Sequence, residues 1–71
     1  MGDPRIGRSR LLEHLNRIGM TQAEYARRIG VSEPFVSRII SGEKKLSLTK
    51  AKKSADILKC HIEELYEWEY L

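Results

Sequence analysis

Catalysis needs a nucleophile, a base and an orienting group brought together, and the reactive residues of this chain are scarce and scattered. Cys60 is the single cysteine and His14 and His61 the two histidines in 71 residues. They form no Ser/His/Asp grouping and no metal-ligand spacing, so no catalytic residue, metal site or cofactor is expected. What the chain does gather is polar and cationic side chains that suit nucleic acid. The fork of Arg38 can take guanine O6 and N7 together, and the Glu33 carboxylate can accept from a cytosine amino group. Pro34 offers only apolar contact to a thymine methyl. Ser41, Lys44 and Lys45, with Arg8 and Arg10 nearer the start, are placed to grip phosphates. Plainer readings stand beside these. Arg38 could touch only phosphate, Glu33 could serve a helix dipole, and any one lysine could simply be solvated.

Charge supports an anionic partner at one end of the molecule. Residues 1–53 hold twelve Lys/Arg against five acidic residues, a balance of +7. Residues 54–71 hold one lysine against five acidic residues, a balance of −4. A basic body with an acidic tail fits a polyanion on the body alone, although two ordinary solvated faces would have the same composition.

Short helices must hold those side chains in register. No run of β-branched residues is bounded like a strand, and apolar residues recur at helical spacing. The spacing predicts a first helix over about 8–18, with Leu11, Leu15 and Ile18 aligned and Gly19 ending it. Thr21 caps a second helix reaching about 29, and Glu24 completes a capping-box pattern. Gly30 supplies the left-handed backbone of a sharp turn. Ser32 caps a third helix with Pro34 in its first turn, and Gly42 closes it. Ser47 caps a fourth helix over about 48–58, with Leu48, Ala51, Ala55 and Leu58 in line and Ile57 beside them. A fifth, short helix is expected over 62–66, with Cys60 in the core before it. The expected architecture is all-α: one compact domain over residues 1–71, a bundle of about five short helices, with 1–5 flexible and 67–71 an aromatic, acidic tail. Within it Ala26, Ile29, Gly30, Val31, Val36 and Ile39 frame a helix-turn-helix, whose second member turns its polar side outward as if to a DNA major groove.

The segments Gly19-Met20-Thr21-Gln22-Ala23-Glu24-Tyr25-Ala26, Ile29-Gly30-Val31-Ser32, Val36-Ser37-Arg38-Ile39 and Gly42 resemble the Cro and phage-repressor (XRE-type) family of helix-turn-helix DNA-binding domains. Residues 55–66 are similar to the closing helices of that family, so the resemblance spans about 6–66. It implies a lambda-repressor-like fold and double-stranded DNA as partner, with Gln22 holding a backbone phosphate. It also implies that Glu33, Pro34 and Arg38, flanked by Ser32 and Ser37, meet base edges. Family members bind two half-sites as dimers. The chain departs from the family pattern at Tyr25, where leucine is frequent, and at His61, where a serine-like cap is usual. Leu15 and Ile40 replace an Arg/Glu pair, a double change that leaves no orphan charge.

Residues 63–71 carry three of the five aromatic residues. Leu65, Trp68 and Leu71 would share a helical face, while Tyr66, Trp68 and Tyr70 would share a strand face. Tyr66, Trp68, Tyr70 and Leu71 are therefore the candidates for a homodimer contact, unless Trp68 folds back on the chain's own core. No apolar run approaches the roughly 20 residues that span a bilayer and the start lacks a signal core, so a cytoplasmic location without membrane contact is expected. No small-molecule ligand is expected either. The resulting expectation is a transcriptional regulator, a repressor binding operator half-sites as a dimer. The alternative is a protein-interaction module, antitoxin-like or anti-repressor, that keeps the fold without reading sequence.

Overall fold

The computed structural model describes residues 2–71; Met1, part of the 1–5 lead expected to be flexible, lies outside them. The chain runs as strand β1 (Pro4–Ser9), helices α1 (Leu11–Ile18), α2 (Gln22–Ile29), α3 (Glu33–Ser41) and α4 (Leu48–Leu58), a 3₁₀ turn (Ile62–Leu65) and strand β2 (Tyr66–Tyr70). Helices α2, α3 and α4 begin where their caps direct. The hydroxyls of Thr21, Ser32 and Ser47 accept from the backbone N–H of Glu24, Phe35 and Lys50 at 3.1, 3.2 and 3.3 Å, satisfying donors that a helix start leaves open. The Glu24 half of the expected capping box is spent elsewhere, because its carboxylate pairs with Arg28 at 2.9 Å. Gly30, at φ 79°, turns the chain between α2 and α3.

Three expectations are corrected. The fold is not purely all-α, since β1 and β2 form a two-stranded antiparallel sheet that pairs Pro4 with Tyr70, Arg5 with Glu69 and Ile6 with Trp68. This pairing keeps the backbone extended through Ser9, so α1 starts at Leu11 rather than near residue 8. Arg10 continues the tie by donating its N–H to the Leu65 carbonyl at 2.8 Å. The ribbon bulges between Ile6 and Ser9, and Gly7 permits the close approach there: a Cβ on it would stand 2.9 Å from the Glu67 carbonyl oxygen. The expected fifth helix is a single 3₁₀ turn, so the helical frame has four α-helices. Tyr66 leaves that turn for the sheet.

The core is built from Leu11, Leu15, Tyr25, Ala26, Ile29, Val36, Ile39, Ala51, Leu58, Leu65 and Tyr66. Val31, Phe35, Ile40 and Cys60 pack on its margin. Ile18 and Leu48, expected in the apolar lines of their helices, are exposed instead. Each stands at the end of its helix, where the line runs past the neighbours that would cover it. His14 is buried: its Nε2 lies 2.7 Å from the Glu64 carbonyl, and its Nδ1 3.2 Å from an Arg17 amino group. The carbonyl can only accept and the guanidinium can only donate, so the proton sits on Nε2. Arg17 also donates to the Leu58 carbonyl at 2.9 Å, closing the end of α4 against α1.

Candidate nucleic-acid interface

Helix α3 divides cleanly between core and solvent. Val36 and Ile39 are buried at 0% and 1% exposure, and they draw the helix down onto α2. Pro34, Arg38 and Ser41 then fall at i, i+4 and i+7 on the opposite side, with Glu33 and Ser37 beside them. All five are exposed, as is Ser32 at the cap. Gln22 opens α2 half-buried. Lys44 and Lys45 are exposed in the loop beyond α3.

Neighbouring contacts qualify several of these groups. Arg38 is exposed, and its Nε lies 3.9 Å from Glu43, beyond a hydrogen bond, so the guanidinium keeps its donors for another acceptor. The Ser41 hydroxyl donates to the Arg38 carbonyl at 3.1 Å, which makes it part of the helix end. The Ser32 hydroxyl accepts from Phe35 and still has a hydrogen to give. Arg10 pairs with Glu13 at 3.0 Å, and Arg8 stands 3.9 Å from Glu67. Phe35, half-buried, packs against the core.

The interface is held by contacts that sequence reasoning missed. Tyr25 is fully buried, and its hydroxyl lies 2.6 Å from the Ser54 hydroxyl. Ser54 donates its own hydrogen to the Lys50 carbonyl at 2.7 Å, so the Tyr25 phenol is the donor to Ser54. This bond fastens α2 to α4 across the core, and burial pushes the phenol's pKa above its ordinary value. The loop after α3 is fixed from both sides: the Lys44 N–H donates to the Arg38 carbonyl at 3.1 Å, and the Leu46 N–H donates to the Tyr66 hydroxyl at 3.1 Å. Lys44 and Lys45 are thus carried on a short, tethered span. Serine at 54 is a detectable signal for a partner to a buried phenol, since it interrupts an otherwise apolar helix line. The Tyr66 contact has no such local signal.

Tyr66, expected on the dimer surface, is turned inward and only 7% exposed. At the start of β2 its ring lies under the loop after α3, held by the Leu46 N–H, whereas Trp68 and Tyr70 on the same strand face run past that cover and stay exposed, as does Leu71. The Trp68 indole N–H donates to the Glu63 carbonyl at 2.7 Å. Among the described residues no three His, Cys, Asp or Glu side chains are grouped to hold a metal. Burial pushes the Cys60 thiol up, away from the thiolate that a nucleophile requires. No helix of the described residues is long and apolar enough to cross a membrane.

Two helices meeting at a glycine turn, the second buried on one side and polar on the other, define a helix-turn-helix module. A helix-turn-helix family model matches residues 11–65, and the chain belongs to that family, the XRE-type group it was likened to. No curated protein matches the chain. Among solved structures, the restriction-modification controller protein C.AhdI from Aeromonas hydrophila is 28% identical, with TM-score 0.70 over 79% of this chain and 85% of its own. SinR, the master regulator for biofilm formation, in complex with DNA, is 21% identical, with TM-score 0.71 over 79% and 90%. The transcriptional regulator VanUg is 21% identical, with TM-score 0.70 over 100% and 92%. The last two likenesses concern the fold. The family match leaves β1 and β2 outside it.

Proposed function

We propose that this chain is a DNA-binding transcriptional regulator, a repressor that occupies operator half-sites as a dimer with α3 in the major groove. One observation carries this reading: the outward side of α3 is a continuous exposed polar stripe on a helix whose other side is locked into the core. The likeness to a restriction-modification controller protein and to a regulator solved with DNA supports it. Arg38 reads a guanine, with Glu33 and Pro34 touching adjacent base edges. Gln22, Ser32, Ser37, Lys44 and Lys45 hold the flanking phosphates, and Ser41, its hydroxyl donated to the Arg38 carbonyl, braces the end of α3 beside them. Trp68, Tyr70 and Leu71 contribute to the twofold contact, and the protein blocks transcription by occupancy.

Gel-shift titration tests this with random and selected duplexes at low and high salt. Binding is expected to weaken steeply as salt rises, because phosphate contacts release counterions. Arg38→Ala is expected to relax preference at one base pair at a cost of about 1–3 kcal/mol. Uniform weakening on all sequences would reassign Arg38 to phosphate. No binding at any salt would sink the DNA reading and favour a protein-interaction module.

A further inference from the structure

The chain leaving α3 folds back around Arg38. Gly42, at φ 87°, reverses its direction, and hydrogen bonds then gather the following residues. The Ser41 hydroxyl and the Lys44 N–H both donate to the Arg38 carbonyl, each at 3.1 Å. The Glu43 N–H donates to the Ser41 hydroxyl at 3.4 Å. Glu43 is thereby set beside the Arg38 side chain, and its carboxylate stands 3.9 Å from the guanidinium Nε. An acid at this place does nothing for the helix, because a helix C-terminus carries the negative end of the dipole. Nor does it help a polyanion approach the lysines that follow it, Lys44 and Lys45. Other acids of the helical frame have local uses: Glu13 pairs with Arg10, Glu24 pairs with Arg28, and Glu33 opens α3. Glu43 faces the side chain assigned above to a guanine.

We propose that Glu43 is a specificity-determining residue that steers Arg38 onto a guanine edge by making phosphate a poor acceptor for it. The role rests on the DNA reading above. On DNA, Arg38 meets two kinds of acceptor: phosphate oxygens carry a full negative charge, whereas guanine O6 and N7 belong to a neutral base. A carboxylate a few ångströms away repels the first as charge against charge and the second only as charge against dipole. Like charges at such a separation still interact appreciably in water, so the penalty falls on phosphate. The carboxylate approaches the Nε side of the guanidinium, which leaves the two terminal amino groups as the fork that spans O6 and N7. At 3.9 Å it does not take up the Nε hydrogen in a hydrogen bond. Both side chains are more than half exposed, at 53% and 66%, so their mutual attraction is weak and screened and a guanine can win Arg38 from it. Glu43 therefore acts against the wrong complex more than for the right one, which is one of the two routes to specificity.

Gel-shift titration of the full chain at fixed salt tests the proposal on a duplex selected from a random pool, on random duplex, and on an exchanged duplex. The exchanged duplex is the selected one with the base pair swapped at which Arg38→Ala relaxes preference. Wild type is expected to prefer the selected over the exchanged duplex by roughly 5- to 150-fold, the range of a good bidentate contact. Glu43→Gln is expected to tighten binding to the exchanged and random duplexes by about threefold, the size of an exposed ion-pair effect. Its affinity for the selected duplex should change less, so the preference at that pair shrinks. In the Arg38→Ala background the same substitution should shift all the duplexes alike, because no guanidinium remains to be steered; the difference between the two backgrounds is the coupling. Thermal melts of Glu43→Gln should match wild type, since the side chain is exposed. Equal tightening on every duplex with Arg38 present would make Glu43 a plain repulsive charge and overturn the proposal while leaving the DNA reading intact. Unchanged affinities, or the lack of any base pair that depends on Arg38, would overturn it in the same way. A wild type that binds no duplex at any salt would overturn both.

Discussion

The helical frame over residues 11–65 and the ribbon made by β1 and β2 obey different physics. In the frame, each helix of the module carries its own start signal, and its core side chains are almost wholly covered: Leu11, Leu15, Tyr25, Val36, Ile39, Leu58 and Leu65 are no more than 1% exposed. The ribbon joins residues about sixty positions apart. Apart from Tyr66 its large apolar side chains are open to solvent. A two-stranded ribbon is marginal by itself. This one is moored through the Arg10 N–H to Leu65, the Trp68 indole to Glu63 and the Tyr66 hydroxyl to Leu46. The ribbon thus leans on the frame at several points, while the frame takes from the ribbon one buried core side chain, Tyr66. A family match that stops at residues 11 and 65 agrees with that division.

The strongest attempt to break the contrast is a pair of truncations compared in urea. Leu15→Ala empties a fully buried position and is expected to cost about 2–5 kcal/mol. For a domain this small that approaches the whole stability. Trp68→Ala removes a larger but half-open ring and is expected to cost under about 2 kcal/mol. Equal losses would show that the ribbon belongs to the folding core and that the division is wrong.

The same contrast explains what could be read before the fold was known. Thr21, Ser32, Ser47 and the glycines act within a few residues of themselves, so the bounds of α2, α3 and α4 were legible from local chemistry. The outward positions of Glu33, Ser37 and Arg38 followed from helical spacing once Ser32 was recognised as the cap. The alternation of Tyr66, Trp68 and Tyr70 with Glu67 and Glu69 did announce a possible strand. Its partner announced nothing: residues 4–9 contain one β-branched side chain, a proline and a glycine. A strand that exists because a distant segment pairs with it has no signature of its own, and the start of α1 was misplaced for that reason. His14 and Tyr25 were hidden in another way, because a buried polar group is explained by its partner, and Glu64 and Ser54 lie 50 and 29 residues away.

Inside the frame, the Tyr25–Ser54 bond sharpens the claim that α2 and α4 are locked together. Ser54→Ala leaves the buried phenol without an acceptor and is expected to cost about 1–3 kcal/mol. Adding Tyr25→Phe should recover part of that loss, because the orphaned hydroxyl is then gone. The pH dependence has a definite sign. Burial raises the phenol's pKa in the folded state, so the phenolate forms first in the unfolded chain. The stability linked to Tyr25 is complete below the unfolded value of about 10 and is lost as pH rises toward the folded one. Tyr25→Phe should flatten that alkaline limb in thermal melts. An unchanged limb would mean that another group opens the structure.

The smallest effect is expected at the joint between the two regions. Glu64 ends the frame: its backbone carbonyl faces His14 Nε2, and its carboxylate accepts the His61 N–H at 2.8 Å. That hydrogen bond favours the charged form and holds the carboxyl below its ordinary value. A depressed pKa in the folded state means the stabilisation is present above the unfolded value, near 4.3, and fades as pH falls through the folded one. Glu64→Gln keeps an acceptor for the His61 N–H and removes the titration. The stability gap between wild type and variant should therefore be widest above pH 5 and narrow toward pH 3. If the ribbon is the dependent partner, amide exchange in β2 should rise along with that narrowing while α2 and α3 stay protected. Exchange rising first in α2 and α3 would reverse the order of dependence, making the ribbon a support for the frame.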